Sequence, residues 1–131
     1  METIKDFFKW IGIKKTLHDR TVTPPYFKEG EMWWCHLGEN IGSEIDGKGD
    51  FFTRPIVIYK KLGSESLLAI PTSTKQKEGS WYVSFQHKGI HELALLSQVR
   101  IISFRRLKEK IGTISDSEMQ EIKKGFLNLY S

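Results

Sequence analysis

Residues 54–61 read Arg54-Pro55-Ile56-Val57-Ile58-Tyr59-Lys60-Lys61, and this stretch decides the fold. Ile56, Val57 and Ile58 leave no polar face, so the pattern predicts a strand covered on both sides. Working outward, short runs rich in aromatic and β-branched residues fall at 31–37, 66–70, 81–85 and 93–102, separated by Gly, Ser, Asn and Lys. Five short strands whose connections are too short for crossover helices describe a small antiparallel barrel or half-open sheet, not a doubly wound parallel one. The class expected is mainly β with peripheral α.

Helical spacing returns at both ends. After Phe104 the period lengthens, Ser115 and Glu118 match a capping box, and Met119, Ile122, Phe126 and Leu129 would line one face of a closing helix. At the other end Ile4, Phe7, Phe8, Ile11 and Leu17, interleaved with Lys5, Lys9 and Lys15, predict a short amphipathic helix that Gly12 weakens. Pro24 and Pro25 then force an extended arm. The expected organisation is a helix and arm over 1–28 and a barrel domain over 29–131.

The 131 residues, 39% of them hydrophobic, are enough for one domain that buries roughly two-thirds of its unfolded surface without staples. Cys35 is the only cysteine, which excludes an internal disulfide and fits a reducing compartment. No run approaches the ~18 apolar residues of a membrane span, so a soluble, cytoplasmic protein is expected. The net charge of +4 is unevenly spread: residues 1–28 carry +3, residues 29–53 carry −5 and residues 54–131 carry +6. An acidic insert thus separates two basic segments that could face a polyanion.

Among candidate chemistries, His87 and His91 are the only histidines close in sequence, and Gly89 between them points to a turn, with no third ligand for zinc. Gly42, Gly47 and Gly49 precede no helix and no Gly-Lys-Ser/Thr, which excludes a phosphate loop. What remains is Arg54 at the start of the most apolar strand and Thr72, Ser73, Thr74 and Lys75 at the end of the next. If those strands pair as a hairpin, a guanidinium and hydroxyl donors meet at one end of the sheet, which suits a phosphate. A rim salt bridge for Arg54 and ordinary turn chemistry for the hydroxyls fit the same positions.

Six stretches in order, Glu29-Gly30-Glu31-Met32-Trp33-Trp34, Gly42-Ser43-Glu44, Thr53-Arg54-Pro55-Ile56-Val57-Ile58, Ile70-Pro71-Thr72-Ser73-Thr74, Leu96-Ser97-Gln98-Val99-Arg100 and Arg106-Leu107 through Ile114-Ser115, resemble the PemK/MazF family of toxin endoribonucleases. The likeness spans about residues 28–130 and leaves the N-terminal helix outside. It implies an SH3-like barrel that forms a homodimer, cleaves single-stranded RNA without a metal or other cofactor, and is neutralised by a cognate antitoxin. By position, the family's catalytic arginine falls on Arg54 and its first-loop glutamate on Glu44, in a loop longer than in short members. Its catalytic threonine falls on Ser73, flanked by Thr72 and Thr74, and an acid often found before the Gln is replaced by Ser97.

The implied chemistry needs a cation for the phosphorane, an acceptor for the 2′-OH proton and a donor for the leaving oxygen. Arg54 suits the first role, Ser73 and Thr72 would position the phosphate, and Glu44 would be the base. Thr74, Lys75 and Lys77 would hold the RNA backbone, and Phe52 and Trp81 would stack on bases. Of the adjacent Trp33 and Trp34, one should face the core and the other outward. Two further readings are a catalytically silent barrel that binds RNA or protein, favoured by the serines at 73 and 97, and a toxin aimed at gyrase. An acidic insert leading into Arg54 should repel phosphate unless it folds aside or supplies the base.

Overall fold

The computed structural model describes residues 5–21 and 23–131. Its centre is the strand the apolar run predicts, here β2 (Thr53–Leu62), flanked by β1 (Glu31–His36) and β3 (Ser66–Ser73). Ile56 and Ile58 pack on one side with Trp33, Cys35, Leu67 and Ala69, while Val57 packs on the other with Met32 and Ile70. Alternation along each strand sends odd and even residues into different cores, which is why no polar face exists. Helix α2 (Asp116–Tyr130) closes the second core with Met119 and Ile122. It starts where Ser115 Oγ accepts from the Glu118 N–H at 3.2 Å, as the capping box requires.

The remaining strands are β4 (Tyr82–His87), β5 (Ile90–Leu95), β6 (Arg100–Ser103) and β7 (Leu107–Thr113). All pairings are antiparallel, in the order β4-β5-β3-β2-β1-β7, with β6 also on β3. The mainly β class holds, with the sheet open rather than closed. On the edge away from β2, β3 serves two partners: Ser66 to Ala69 face β6, whereas Thr72 and Ser73 face β5. That second pairing carries β3 three residues past the predicted end at Ile70.

Two expectations are corrected. The predicted strand at 93–102 is two strands broken by a 3₁₀ turn at Leu96–Gln98, and the region after Phe104 is strand β7, not helix. β7 is a polar edge that buries only Leu107 and is held by β1 through two register shifts, so it has no apolar period to read.

Helix α1 (Phe7–Asp19) forms, but with a different buried face from the one predicted. Phe7, Phe8 and Ile11 are exposed, Trp10, Leu17 and partly Ile13 are buried, and Ile4 lies outside the described residues. Trp10 decides the orientation: its ring packs on Phe52, centroids 5.7 Å apart, in the space left by Gly38, whose φ of +82° favours glycine and where a side chain would overlap the indole. Phe27, at the end of the arm, is fully buried in the first core.

Candidate active site

Arg54 is the second residue of β2 and is buried. Its Nε donates to the Asp46 carbonyl at 2.7 Å and its Nη1 to the Thr72 carbonyl at 3.1 Å. Two fixed acceptors hold the guanidinium plane and leave further N–H donors uncommitted, and Arg54 lines a cavity. That cavity, of about 390 Å³, also takes in Trp34, Lys48, Ser73, Thr74 and Glu92. Burial pulls the Arg54 pKa down and Asp46 pulls it up; the group stays cationic.

The hairpin therefore brings the cation and the strand-end hydroxyls together. Ser73 is half-buried, and its Oγ accepts from the Lys75 N–H at 3.2 Å. Thr72 plays a different part from the one expected. It lines the cavity, but the residue is fully buried and its hydroxyl donates to the Pro55 carbonyl at 3.0 Å, which ties β3 to β2. Trp33 enters the core, and Trp34 faces out onto the cavity.

Other sequence candidates lie elsewhere. Glu44 is not among the residues that line the Arg54 cavity: its carboxylate accepts from the Ile41 N–H at 2.8 Å and faces a separate cavity with Asn40, Gln98 and Arg100. Glu44 and Arg54 thus line different cavities. Phe52 is buried against Trp10 and cannot stack on a base. Lys75, Lys77 and Trp81 are exposed beyond the cavity, with Lys77 Nζ 5.9 Å from the Tyr82 ring. His87 and His91 sit on either side of the β4–β5 turn, each beside a different cross-strand neighbour.

Two cavity residues escaped sequence reasoning. Lys48 is fixed beside Arg54 by a pair of backbone hydrogen bonds with Thr53, at 2.8 and 3.0 Å, and the Arg54 charge, with burial and Lys75, pulls its pKa down. Glu92 is a buried carboxyl on β5 whose pKa burial pushes up, against the pull of His91. A charge in an otherwise apolar strand was the signal that singled out Arg54, and the same signal marks Glu92.

Two acids of the insert are paired with cations. The Asp46 carboxylate pairs with Lys5 at 3.2 Å and accepts from the Asn40 N–H, and Asp50 pairs with Lys9 at 3.2 Å. The N-terminal segment thus supplies the cations that offset the acids nearest Arg54.

An anchored arginine thus lines a cavity beside strand-end hydroxyls in a small antiparallel β protein. Residues 28–130 match the profile of the PemK-like, MazF-like toxins of type II toxin-antitoxin systems, and the chain belongs to that family. No curated protein matches it. Solved structures share the fold. An endoribonuclease in complex with its cognate antitoxin from a mycobacterial species is 12% identical, with a TM-score of 0.63 over 79% of this chain and 93% of that one. MazF from Deinococcus radiodurans is 18% identical, with a TM-score of 0.65 over 80% and 97%. The MazE–MazF structure from the same organism gives 16% and 0.59 over 80% and 96%. Helix α1 lies outside the profile match.

Proposed function

We propose that this chain is the toxin of a toxin-antitoxin pair and a metal-independent endoribonuclease acting on single-stranded RNA in the cytoplasm. The 2′-OH attacks the adjacent phosphorus, giving a 2′,3′-cyclic phosphate and a 5′-OH. The observation that carries this reading is the Arg54 guanidinium held by the Asp46 and Thr72 carbonyls at the cavity wall. A fork fixed before substrate arrives stabilises the phosphorane without reorganising. Ser73 and Thr74 would orient the phosphate, Trp34 offers a plane for a base, and Lys75 and Lys77 would extend the backbone contacts. The family match and the antitoxin-bound neighbours support a small antitoxin partner and a homodimer.

The test is incubation with mixed RNA in EDTA, followed by end analysis. Cyclic phosphates opposite 5′-OH ends are expected. Divalent-dependent cleavage or 3′-OH ends would overturn the chemistry, and RNA binding without products would favour a silent barrel.

A further inference from the structure

A phosphate seated on Arg54 still needs somewhere to send one proton and somewhere to find another, because guanidinium does neither unaided. Glu44, the acid expected from its position in the chain, faces another cavity. Two titratable side chains do line the Arg54 cavity, and they reach it from separate elements: Glu92 from β5 and Lys48 from the loop before β2.

Glu92 is placed by strand register. β5 pairs with the end of β3 through Thr72 opposite Ala94 and Ser73 opposite Leu93, so Glu92 is carried one step further, level with Thr74 at the cavity rim. Its other neighbour, Phe85 on β4, is apolar and buried. Among the described residues Glu92 Oε2 is buried and has no hydrogen-bond partner. An unpartnered buried carboxylate oxygen is costly to keep, and the residue that carries it lines the cavity with the fixed arginine. Lys48 has a main chain pinned to Thr53, one residue from Arg54, and an exposed side chain.

We propose that Glu92 and Lys48 are the proton acceptor and the proton donor of this site, a reading that rests on the cleavage function above. The Glu92 carboxylate takes the 2′-OH proton as that oxygen forms its bond to phosphorus. The bond from phosphorus to the 5′-oxygen breaks, its electron pair leaves with the oxygen, and the Lys48 ammonium supplies the proton that makes it a hydroxyl. Solvent then removes a proton from Glu92 and returns one to Lys48, so none is consumed overall. The environments agree with these roles: burial pushes the Glu92 carboxyl up and the Arg54 charge pulls the Lys48 ammonium down, which brings both towards neutrality. His91, on its own strand, is the charge that acts on Glu92; Arg54 from β2 and Lys48 from the loop share its cavity, with Ser73 and Thr74 from β3, and Phe85 brings no charge.

The experiment is a pH profile of kcat/KM on a short RNA for the full chain and three variants, with binding read separately on a 2′-deoxy analogue that cannot react. The parent should give a bell, its acidic limb due to Glu92 and its alkaline limb to Lys48. Glu92→Gln should cost about 10²-fold or more, lose the acidic limb and bind the analogue within about twofold of the parent. Lys48→Ala should lose the alkaline limb, and a substrate with sulfur in place of the 5′-oxygen, which leaves without a proton, should restore its rate but not that of Glu92→Gln. Should Glu92→Gln not fold, a ¹³C titration of Glu92 in the parent must coincide with the acidic limb. Parental cleavage and profile in Glu92→Gln, a titration that misses the limb, or no sulfur rescue of Lys48→Ala overturns the assignment. Arg54→Ala separates the two levels: if it cleaves normally the site itself is misread, whereas if it is inactive and Glu92→Gln is not, only the proton assignment fails.

Discussion

Arg54 and Thr72 hold each other's strands: the guanidinium donates to the Thr72 carbonyl at 3.1 Å, and the Thr72 hydroxyl donates to the carbonyl of Pro55, next to Arg54, at 3.0 Å. The start of β2 and the end of β3 are thereby tied twice at the cavity floor. Arg54→Lys keeps the charge and loses the fork, so cleavage should fall by about 10²–10³-fold. Initial rates on a defined RNA, beside an unfolding curve to confirm the fold, check this. A lysine variant as fast as the parent would mean that charge alone suffices.

The two hydroxyls should separate cleanly. Thr72→Val takes the hydroxyl donor from the partly buried Pro55 carbonyl, and about 1–3 kcal/mol of stability should be lost. Ser73→Ala should leave the melting curve nearly unchanged and slow cleavage. Denaturant unfolding and rate measurements on both variants, run side by side, test the division.

Trp10 is the hub of the α1 contact, packed on Phe52 and 5.7 Å from the Arg106 guanidinium. Trp10→Ala should weaken the docking of α1 by up to about 3–5 kcal/mol. The expected signature is early proteolysis within residues 7–19 while the β-sheet circular dichroism persists. Simultaneous loss of both signals would show that α1 is integral to the sheet.

Acid should destabilise the fold in two steps. Burial holds His36 below its ordinary 6.5. The unfolded chain takes that proton first, so the stability present above 6.5 is lost as pH falls through the depressed value. For Glu31, burial pushes the carboxyl up, but hydrogen bonds from Lys110, Trp33 and the Lys28 N–H outweigh it and leave it below 4.5. Its contribution is present above 4.5 and disappears on further acidification. Glu92 runs the other way: its raised pKa means that stability is greatest while it is protonated and falls as pH rises through the folded value. Melting temperatures across this range for His36→Gln and Glu31→Gln should each flatten the corresponding step.

If Lys75 and Lys77 contact RNA phosphates, replacing either with Ala should reduce the slope of log affinity against log salt by about 0.7. Fluorescence anisotropy on the unreactive analogue at several salt concentrations reads it, and an unchanged slope would place these exposed lysines off the RNA path.

What could be read in advance follows from where each signal lives. β2 was legible because a strand buried on both faces must be apolar at every position, and α2 because its cap and its face are local. The meeting of Arg54 with Ser73 followed from hairpin connectivity alone. β7 was hidden because Leu107–Thr113 owes its conformation to the free edge of β1. The buried face of α1 was missed because Phe7 and Phe8 are as apolar as Trp10, and only the gap at Gly38 chooses among them. That Glu44 lines a cavity other than the one at Arg54 was not legible, because the path of its loop is held by Arg54 Nε on the Asp46 carbonyl and by the Asn40 N–H on Asp46, contacts no spacing rule encodes.

The cavity straddles two packing units of unequal size. Arg54 and Ser73 stand on strands shared by both main cores and Glu92 on a strand of the second, whereas Lys48 and the Asp46 carbonyl belong to a loop pressed against the sheet by α1 and the small cluster of Trp10, Leu17 and Phe52. Small clusters open at lower free energy than the whole domain. On warming, one wall of the cavity should therefore come away while the other still stands, and the temperature ceiling for activity is set by the lesser partner.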